Sequence, residues 1–473
     1  MTPSLQLARF LSVFLIRRVL RRGALRTASA RWTVAVAALV AFVGFCLFGV
    51  VIVRQLISEP EQLFPLLRVV GVSTPVWVLS AFTVVRVLFM KSSELVELTF
   101  SFPLTNRART LGFMLFETLV VGIGVTLMLG ALIAGTISIG GVGILEELIT
   151  CLVMPSVVAY LLASLSCFGL ERLLMRLGVA RLRAFIVPVV LATGLVALHL
   201  WVSSQSQPVL FAAIGQGDEY FAVQLLFADI AAHHGMTAAA GVWFATLAVL
   251  VWAVAAIAPP QFDPTRRFAI IPRLFGSTEF GAYFAAHIRG IETITVCAIS
   301  LGGSYALFVA DIRVPPVLLL AITMQSVYAY VSTEPLRACG PRRHGPLRRY
   351  LLMIGPQLAI LAIIASPLSI LSALTGSRPH EILAVVGFAV SNVVVLTLAG
   401  ITFPPEKGNP FSVIAGAAVA GLVTGTIMIG TNLLGLPLPF TVGVMLILTL
   451  LAAVLSIAGM DRIERTSRHE VVV

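Results

Sequence analysis

KSSELVELTFSFPLTNRART, Lys91 to Thr110, is a charged interruption in a chain that is otherwise strongly apolar. Two glutamates come first, then an apolar run, a proline and two arginines, with long hydrophobic segments on both sides. An apolar run of about 20 residues is long enough to cross a roughly 30 Å hydrocarbon core as a helix. The stretch therefore reads as a loop between two membrane spans, and the same alternation recurs along the chain. Of 473 residues, 59% are hydrophobic and 11% charged, with a mean hydropathy of +1.02. A soluble protein of this length needs far more polar surface. The expected fold class is an all-α polytopic membrane protein.

Charged and proline-rich punctuation divides the chain into about twelve transmembrane helices, at 32–57, 64–90, 111–137, 148–170, 184–202, 238–258, 292–312, 314–332, 350–374, 382–403, 412–432 and 439–459. They are expected as two six-helix halves, 32–258 and 292–459, joined by a cytoplasmic linker with an amphipathic segment, 259–291. Placing both termini in the cytoplasm puts 27 of the 32 basic residues on the inner side. Arg54, Arg68, Arg313 and Arg378 fall outside and Arg86 falls within a span, so the opposite orientation violates the positive-inside bias. This topology accounts for the net charge of +11 without nucleic acid.

Residues 1–31 carry seven arginines interleaved with Leu5, Leu7, Phe10, Leu11, Phe14 and Leu15, a pattern for an amphipathic helix on membrane lipid. No small-residue cleavage pattern follows, so no removable leader is expected. A cytoplasmic tail covers 460–473. The predominance of arginine over lysine points to a bacterial source and hence to the plasma membrane. Cys46, Cys151, Cys167, Cys297 and Cys339 are scattered, with no disulfide or zinc spacing. Ser203–Thr237 is apolar but broken by Gly215, Gly217 and Asp218, and predicts a re-entrant or surface helix on the outer side.

Soluble-enzyme chemistry is absent from the pattern. There is no GxxxxGK[ST], GxSxG, HExxH or CxxC. Asp229 and His233, with His234 following, have the spacing of helix-borne metal ligands but lack a further partner, so no metal site is expected. Arg86 and Glu117 fall at similar depth on consecutive antiparallel spans, where burying an ion requires a partner or water. Either they pair, or Arg86 snorkels to the headgroups and Glu117 borders the interface. Gly421 and Gly425, four apart, suit close helix packing.

Within the opening stretch, Ser93 can cap a short helix with Glu94 and Glu97 in its first turns. Leu95, Leu98 and Phe102 give it an apolar side, and Pro103 stops it. A gapless alignment sets this loop against STEPLRACGPRRHGPLRRY, Ser332 to Tyr350, with Ser92, Glu94 and Arg109 opposite Ser332, Glu334 and Arg349. Each loop joins the second and third spans of its half, which predicts a fused pair of related halves.

The segment ELVELTFSFPLTNRARTLGFMLFE, with the arginine-rich amphipathic N-terminus and the interrupted outer segment, resembles the permease subunits of ATP-binding-cassette exporters of the ABC-2 type. The resemblance implies that the loop between spans two and three carries a coupling helix docking on a separate ATPase subunit. Glu94, Leu95, Glu97, Leu98, Phe100 and Pro103 would then form the docking surface, with Arg107 and Arg109 beside it. A second ATPase copy would dock at Glu334, Arg337, Arg342, Arg343, Arg348 and Arg349, where Pro335 and Arg337 depart from the pattern. The family's interfacial helix would correspond to residues 4–30. The same resemblance implies no catalytic residue and no cofactor in this chain, ATP and Mg being held by the partner, and a hydrophobic or amphipathic cargo such as a drug, peptide or lipid. The main alternative is a twelve-span secondary transporter, whose usual GxxxDRxGRR loop is missing here.

Overall fold

The computed structural model describes residues 3–21, 28–57, 62–88, 99–179, 183–213, 220–258, 278–309, 311–339, 345–403 and 438–471. The span expected at 412–432, with Gly421 and Gly425, lies outside the described residues, as do 259–277 of the linker. Among the described residues every element is helical. Nine helical stretches there are long and apolar enough to cross a membrane, and Phe42–Gln55 and Thr293–Val309 are shorter apolar helices. Long helices such as Met236–Ile257 and Leu438–Val471 bury almost nothing and expose Phe244, Trp252, Leu446, Ile447 and Val454. Apolar faces of that extent are stable only against lipid, so this is a helical membrane-embedded protein.

The chain forms two compact units, one of Met1–Val13 and Leu39–Thr265, the other of Phe14–Ala38 and Arg266–Val473. Along the chain come α1 (Pro3–Arg21), of which residues 3–13 belong to the first unit, α2 (Ala28–Leu56), which belongs to it from Leu39, and then α3 (Leu63–Leu88) and α4 (Asn106–Gly140). A 3-10 turn (Gly141–Ile144), a single turn α5 (Leu145–Leu148) and a π turn (Ile149–Val153) then lead into α6 (Met154–Arg176). After α7 (Arg183–Ala213), the 3-10 turn Val223–Leu225 opens α8 (Leu226–His234), and α9 (Met236–Ile257) follows. α3 is central, packed on α7, α6 and α4, with Leu63, Leu67, Val72 and Phe82 fully buried. Gly49 lets α2 meet α4 closely, because a Cβ there would lie 2.0 Å from the Ala131 carbonyl oxygen.

In the second unit, α10 (Glu279–Ile288) precedes α11 (Ile291–Val309). Asp311, with φ +56°, turns the chain into an interrupted helix. This helix runs as 3-10 Pro316–Leu319, α12 (Leu320–Thr323), 3-10 Met324–Tyr328 and α13 (Ala329–Ser332). Then come α14 (Glu334–Cys339), α15 (Pro346–Leu374), α16 (Pro379–Thr402) and α17 (Leu438–Val471). α16 is central, packed on α17, α15 and the interrupted helix. Polar pairs tie these neighbours: Asn392 Nδ2 donates to Thr323 Oγ1 at 2.7 Å, and the Ser391 and Thr449 hydroxyls are 2.6 Å apart.

Helix ends differ from hydropathy boundaries. α4 begins at Asn106 rather than 111, and α7 continues to Ala213 rather than ending at 202. Hydropathy marks the apolar core of a span, whereas a helix continues through polar residues until its backbone is capped. Thr105 supplies such a cap for α4, its side chain accepting from Ala108 N–H at 3.3 Å.

Candidate functional site

The arginine-rich ends of the helices carry one assembled feature in each unit. In the first, Arg109 is 3% exposed and folds back over the preceding turn. Its Nη1 donates to Asn106 Oδ1 at 2.6 Å, and its Nη2 to the Thr99 carbonyl at 3.2 Å and the Leu104 carbonyl at 3.5 Å. The guanidinium also lies 4.2 Å from the Phe100 ring centroid. Phe102 packs edge-on against Phe10 of α1, with ring centroids 5.4 Å apart. Leu7 and Leu11 of α1 are buried, and a Cβ at Gly112 of α4 would lie 2.7 Å from Leu7 Cδ2. The α1 segment, the turn 99–105 and the start of α4 thus form one packed block. Of the predicted docking residues, Phe100, Pro103 and Arg107 are exposed on it. Glu94, Leu95, Glu97 and Leu98 lie outside the described residues.

The second unit repeats the arrangement in outline. Arg337 of α14 donates to the Tyr330 carbonyl at 2.5 Å and to Thr333 Oγ1 at 2.7 Å, with its guanidinium 3.8 Å from the Tyr330 ring centroid. The short helix α10 is capped by Thr278 and lies on α15, through Phe280 at Gly355 and a 3.0 Å ion pair between Arg348 and Glu279. Glu334 is exposed and Arg349 is half-buried, while Arg342 and Arg343 lie outside the described residues. The resemblance set Arg109 beside the first docking surface and Arg337 within the second; in the structure both side chains turn back onto the preceding backbone as clamps. The signal available was the nearby aromatic and carbonyl-bearing residues, but burial could not be read from spacing.

His287, on α10, is 7% exposed, with its Nδ1 3.5 Å from Ser332 Oγ. Burial pushes its imidazole down to about 4, with only the Met353 backbone opposing. The folded protein therefore keeps His287 neutral while the unfolded chain protonates it near 6.5. Stability conferred by the neutral ring is complete above that value and falls as pH drops towards 4, by about 3 kcal/mol across the window. Thermal unfolding of the purified protein should show this slope, and His287→Gln should flatten it; an unchanged slope would assign the acid lability to other groups.

Glu117 is 1% exposed and about three turns into α4, deeper than its hydropathy boundary implied. Arg86 is in α3 with its side chain outside the described residues, so the pairing is left as an expectation.

At the arginine-poor ends, the sequence reading missed an ionic pattern common to both units. Arg68, in the second turn of α3, places Nη2 3.1 Å from Asp229 Oδ1 and Nε 3.9 Å from Glu147 Oε1. In the second unit, Arg313, just before the interrupted helix, pairs with Glu381 in the first turn of α16. The signal was present: Arg68 and Arg313 both violate the positive-inside bias, and each is held by a carboxylate. Asp229 thus serves Arg68, and His233 Nδ1 is 2.8 Å from the Asp229 carbonyl oxygen. Among the described residues no group of three His, Cys, Asp or Glu side chains could hold a metal ion.

No family model, curated protein or solved structure matches this chain.

Proposed function

We propose that the chain is the transmembrane permease subunit of an ATP-driven exporter of the ABC-2 type, a transport subunit rather than an enzyme. In this reading about twelve spans form two six-helix halves in the bacterial plasma membrane, with both termini cytoplasmic. Copies of a cytoplasmic ATPase, probing the two inner loops and carrying ATP and Mg, supply the energy that a chain without a GxxxxGK[ST] cannot. The cargo is hydrophobic or amphipathic, in keeping with spans poor in charge.

The Arg109 block is the observation that carries this reading. A motor pulling on a loop moves a span only if loop and span are stiffly joined. Two hydrogen bonds, to the Thr99 and Leu104 carbonyls, and an aromatic contact from Arg109 join the turn to α4, and the Phe10–Phe102 contact joins it to α1. Phe100 and Pro103 on the turn and Arg107 at the start of α4 are exposed. The test is to purify the tagged chain from its native host and identify what accompanies it. A stoichiometric P-loop ATPase is expected, and Glu97→Arg should remove it at unchanged permease yield. If no ATPase accompanies the wild-type chain, the exporter reading fails.

A secondary transporter is the second reading, favoured by the interrupted helix of the second unit. Gln325 and Ser326 on it are buried, and Gln325 Oε1 and Ser326 Oγ have no hydrogen-bond partner among the described residues. Broken helices with polar side chains build the substrate sites of such carriers. Transport by the chain alone in liposomes, under an ion gradient and without ATP, would establish this alternative.

A further inference from the structure

We infer that a groove between α2 and α4 holds a neutral, largely apolar molecule that enters sideways from the lipid and brings a hydrogen-bonding group to Thr126. The inference deepens the exporter reading, on which it rests only for calling that molecule cargo.

The groove comes from the way the two helices cross. They touch where Gly49 meets Ala131, and again at Gly135, where a Cβ would lie 2.5 Å from Val53 Cγ2 and 2.8 Å from the Gly49 carbonyl oxygen. Cys46 Sγ is 3.9 Å from the Gly130 carbonyl oxygen. Towards the start of α4 the contact ends. A Cβ at Gly122 would meet nothing within 4 Å, and neither would one at Gly44 of α2. The space left there is about 520 Å³, within the usual range for small-molecule sites.

Helical spacing sorts the lining. Thr118, Gly122 and Thr126 fall four apart as one strip, Leu119, Ile123 and Leu127 form the strip beside it, and Phe42 comes from α2. All but Leu127 and Phe42 are exposed, so the groove opens to the side. It lies within the apolar stretch Asn106–Leu127, where lipid surrounds the helix. Elsewhere α4 faces protein: Phe116, Val120 and Val121 are buried, and a Cβ at Gly124 would lie 3.9 Å from Ala81 Cβ of α3. Glu117 is buried too and is not part of the lining, where no described side chain is ionisable.

Thr126 adds a second, independent observation. A helix threonine in lipid can satisfy its hydroxyl on the carbonyl one turn back, as Thr118 does on Met114 at 2.8 Å. Thr126 has no such bond and no other partner among the described residues. An unpaired hydroxyl is unfavourable in hydrocarbon, and a ligand's hydroxyl or N–H restores the bond.

Together these features choose the occupant. A charged head would find no counter-ion in the groove and would be costly to bury there. A lipid acyl chain would fill space but leave Thr126 unpaired. A compact neutral molecule with one hydroxyl or N–H covers the apolar strip and satisfies the threonine.

The test uses the full chain in lipid nanodiscs, without ATP or an ATPase, and three photoreactive probes of similar shape. They are para-hydroxymethylbenzophenone, para-methylbenzophenone and para-benzoylbenzoate. Cross-linking to 118–127 is compared with that to α9, whose lipid-exposed length reports simple partitioning. Saturable labelling of 118–127 by the hydroxymethyl probe is expected, with the methyl probe about threefold to tenfold weaker and the carboxylate inactive. Gly122→Leu should abolish it, in a position where a Cβ meets no neighbour; Gly241→Leu, equally open but on α9, should not. Thr126→Val should reduce the hydroxymethyl probe to the level of the methyl probe, whereas a merely structural threonine would leave their ratio unchanged. Labelling of 118–127 that never saturates and follows α9, as filling by lipid chains would give, overturns the inference. So does indifference to Gly122→Leu, or equal labelling by the carboxylate. Association with an ATPase is read separately: its absence would remove the motor and leave the groove, and its presence would not restore a groove that fails to saturate.

Discussion

Gly400→Ala is expected to leave little folded protein, while Gly387→Ala on the same helix leaves it intact. A Cβ at Gly400 would lie 2.1 Å from the Val327 carbonyl oxygen, 2.9 Å from its carbon and 3.2 Å from its Cα. All three are backbone atoms, so no side chain can rotate away. Relief requires α16 to move off the interrupted helix, breaking the Asn392–Thr323 hydrogen bond and the packing around Leu396 and Ala399. Overpacking of this kind costs about 3 kcal/mol or more. At Gly387 a Cβ would meet nothing within 4 Å, and alanine there should be neutral or slightly stabilising. The first unit offers the same comparison: Gly49→Ala drives a Cβ to 2.0 Å from the Ala131 oxygen, whereas Gly44→Ala meets nothing within 4 Å. Thermal unfolding in detergent and the yield of monodisperse protein measure both pairs. Equal behaviour within each pair would show that these helix crossings are looser than described.

Arg109→Met should loosen the turn before α4 by about 2–3 kcal/mol, with little change at the exposed neighbour in Arg107→Met. Methionine keeps much of the apolar stem but removes every donor, leaving the Thr99 and Leu104 carbonyls and the Asn106 side chain without Arg109. Arg109→Lys should rescue little, because a single ammonium cannot span acceptors on three residues or stack on Phe100 as a planar guanidinium does. Amide hydrogen exchange over 99–106 reads the loosening directly. Under the exporter reading, Arg109→Met should also weaken ATPase association even though Arg109 is buried. Arg107→Met would weaken association without loosening the turn. If exchange over 99–106 is unchanged in Arg109→Met, the clamp does not carry the block.

Much of the architecture was legible because lipid imposes so simple a rule. A span needs a long apolar run and internally satisfied backbone, and both leave marks in hydropathy. The interrupted helix was harder to read. Only Asp311–Pro316 separates it from α11 in the sequence, and nothing in the residues 316–332 announces its alternation of 3-10 and α turns. Gly400 supplies the physical reason for a close crossing there, but its partner Val327 is 73 positions away, which no local pattern connects.

The ionic groups make the same division. Composition and the placement of arginines determined by themselves that the chain is helical and membrane-embedded, and marked Arg68 and Arg313 as exceptions needing an explanation. Tertiary structure alone supplied it, by bringing Glu147 and Asp229 to Arg68 and Glu381 to Arg313. It likewise turned Arg109 from a loop residue into a buried clamp. Hydropathy sums over neighbours in sequence and so predicts what enters the bilayer. The pairing of charges and the approach of backbones depend on neighbours in space, often far apart along the chain, and packing alone determines which residues those are.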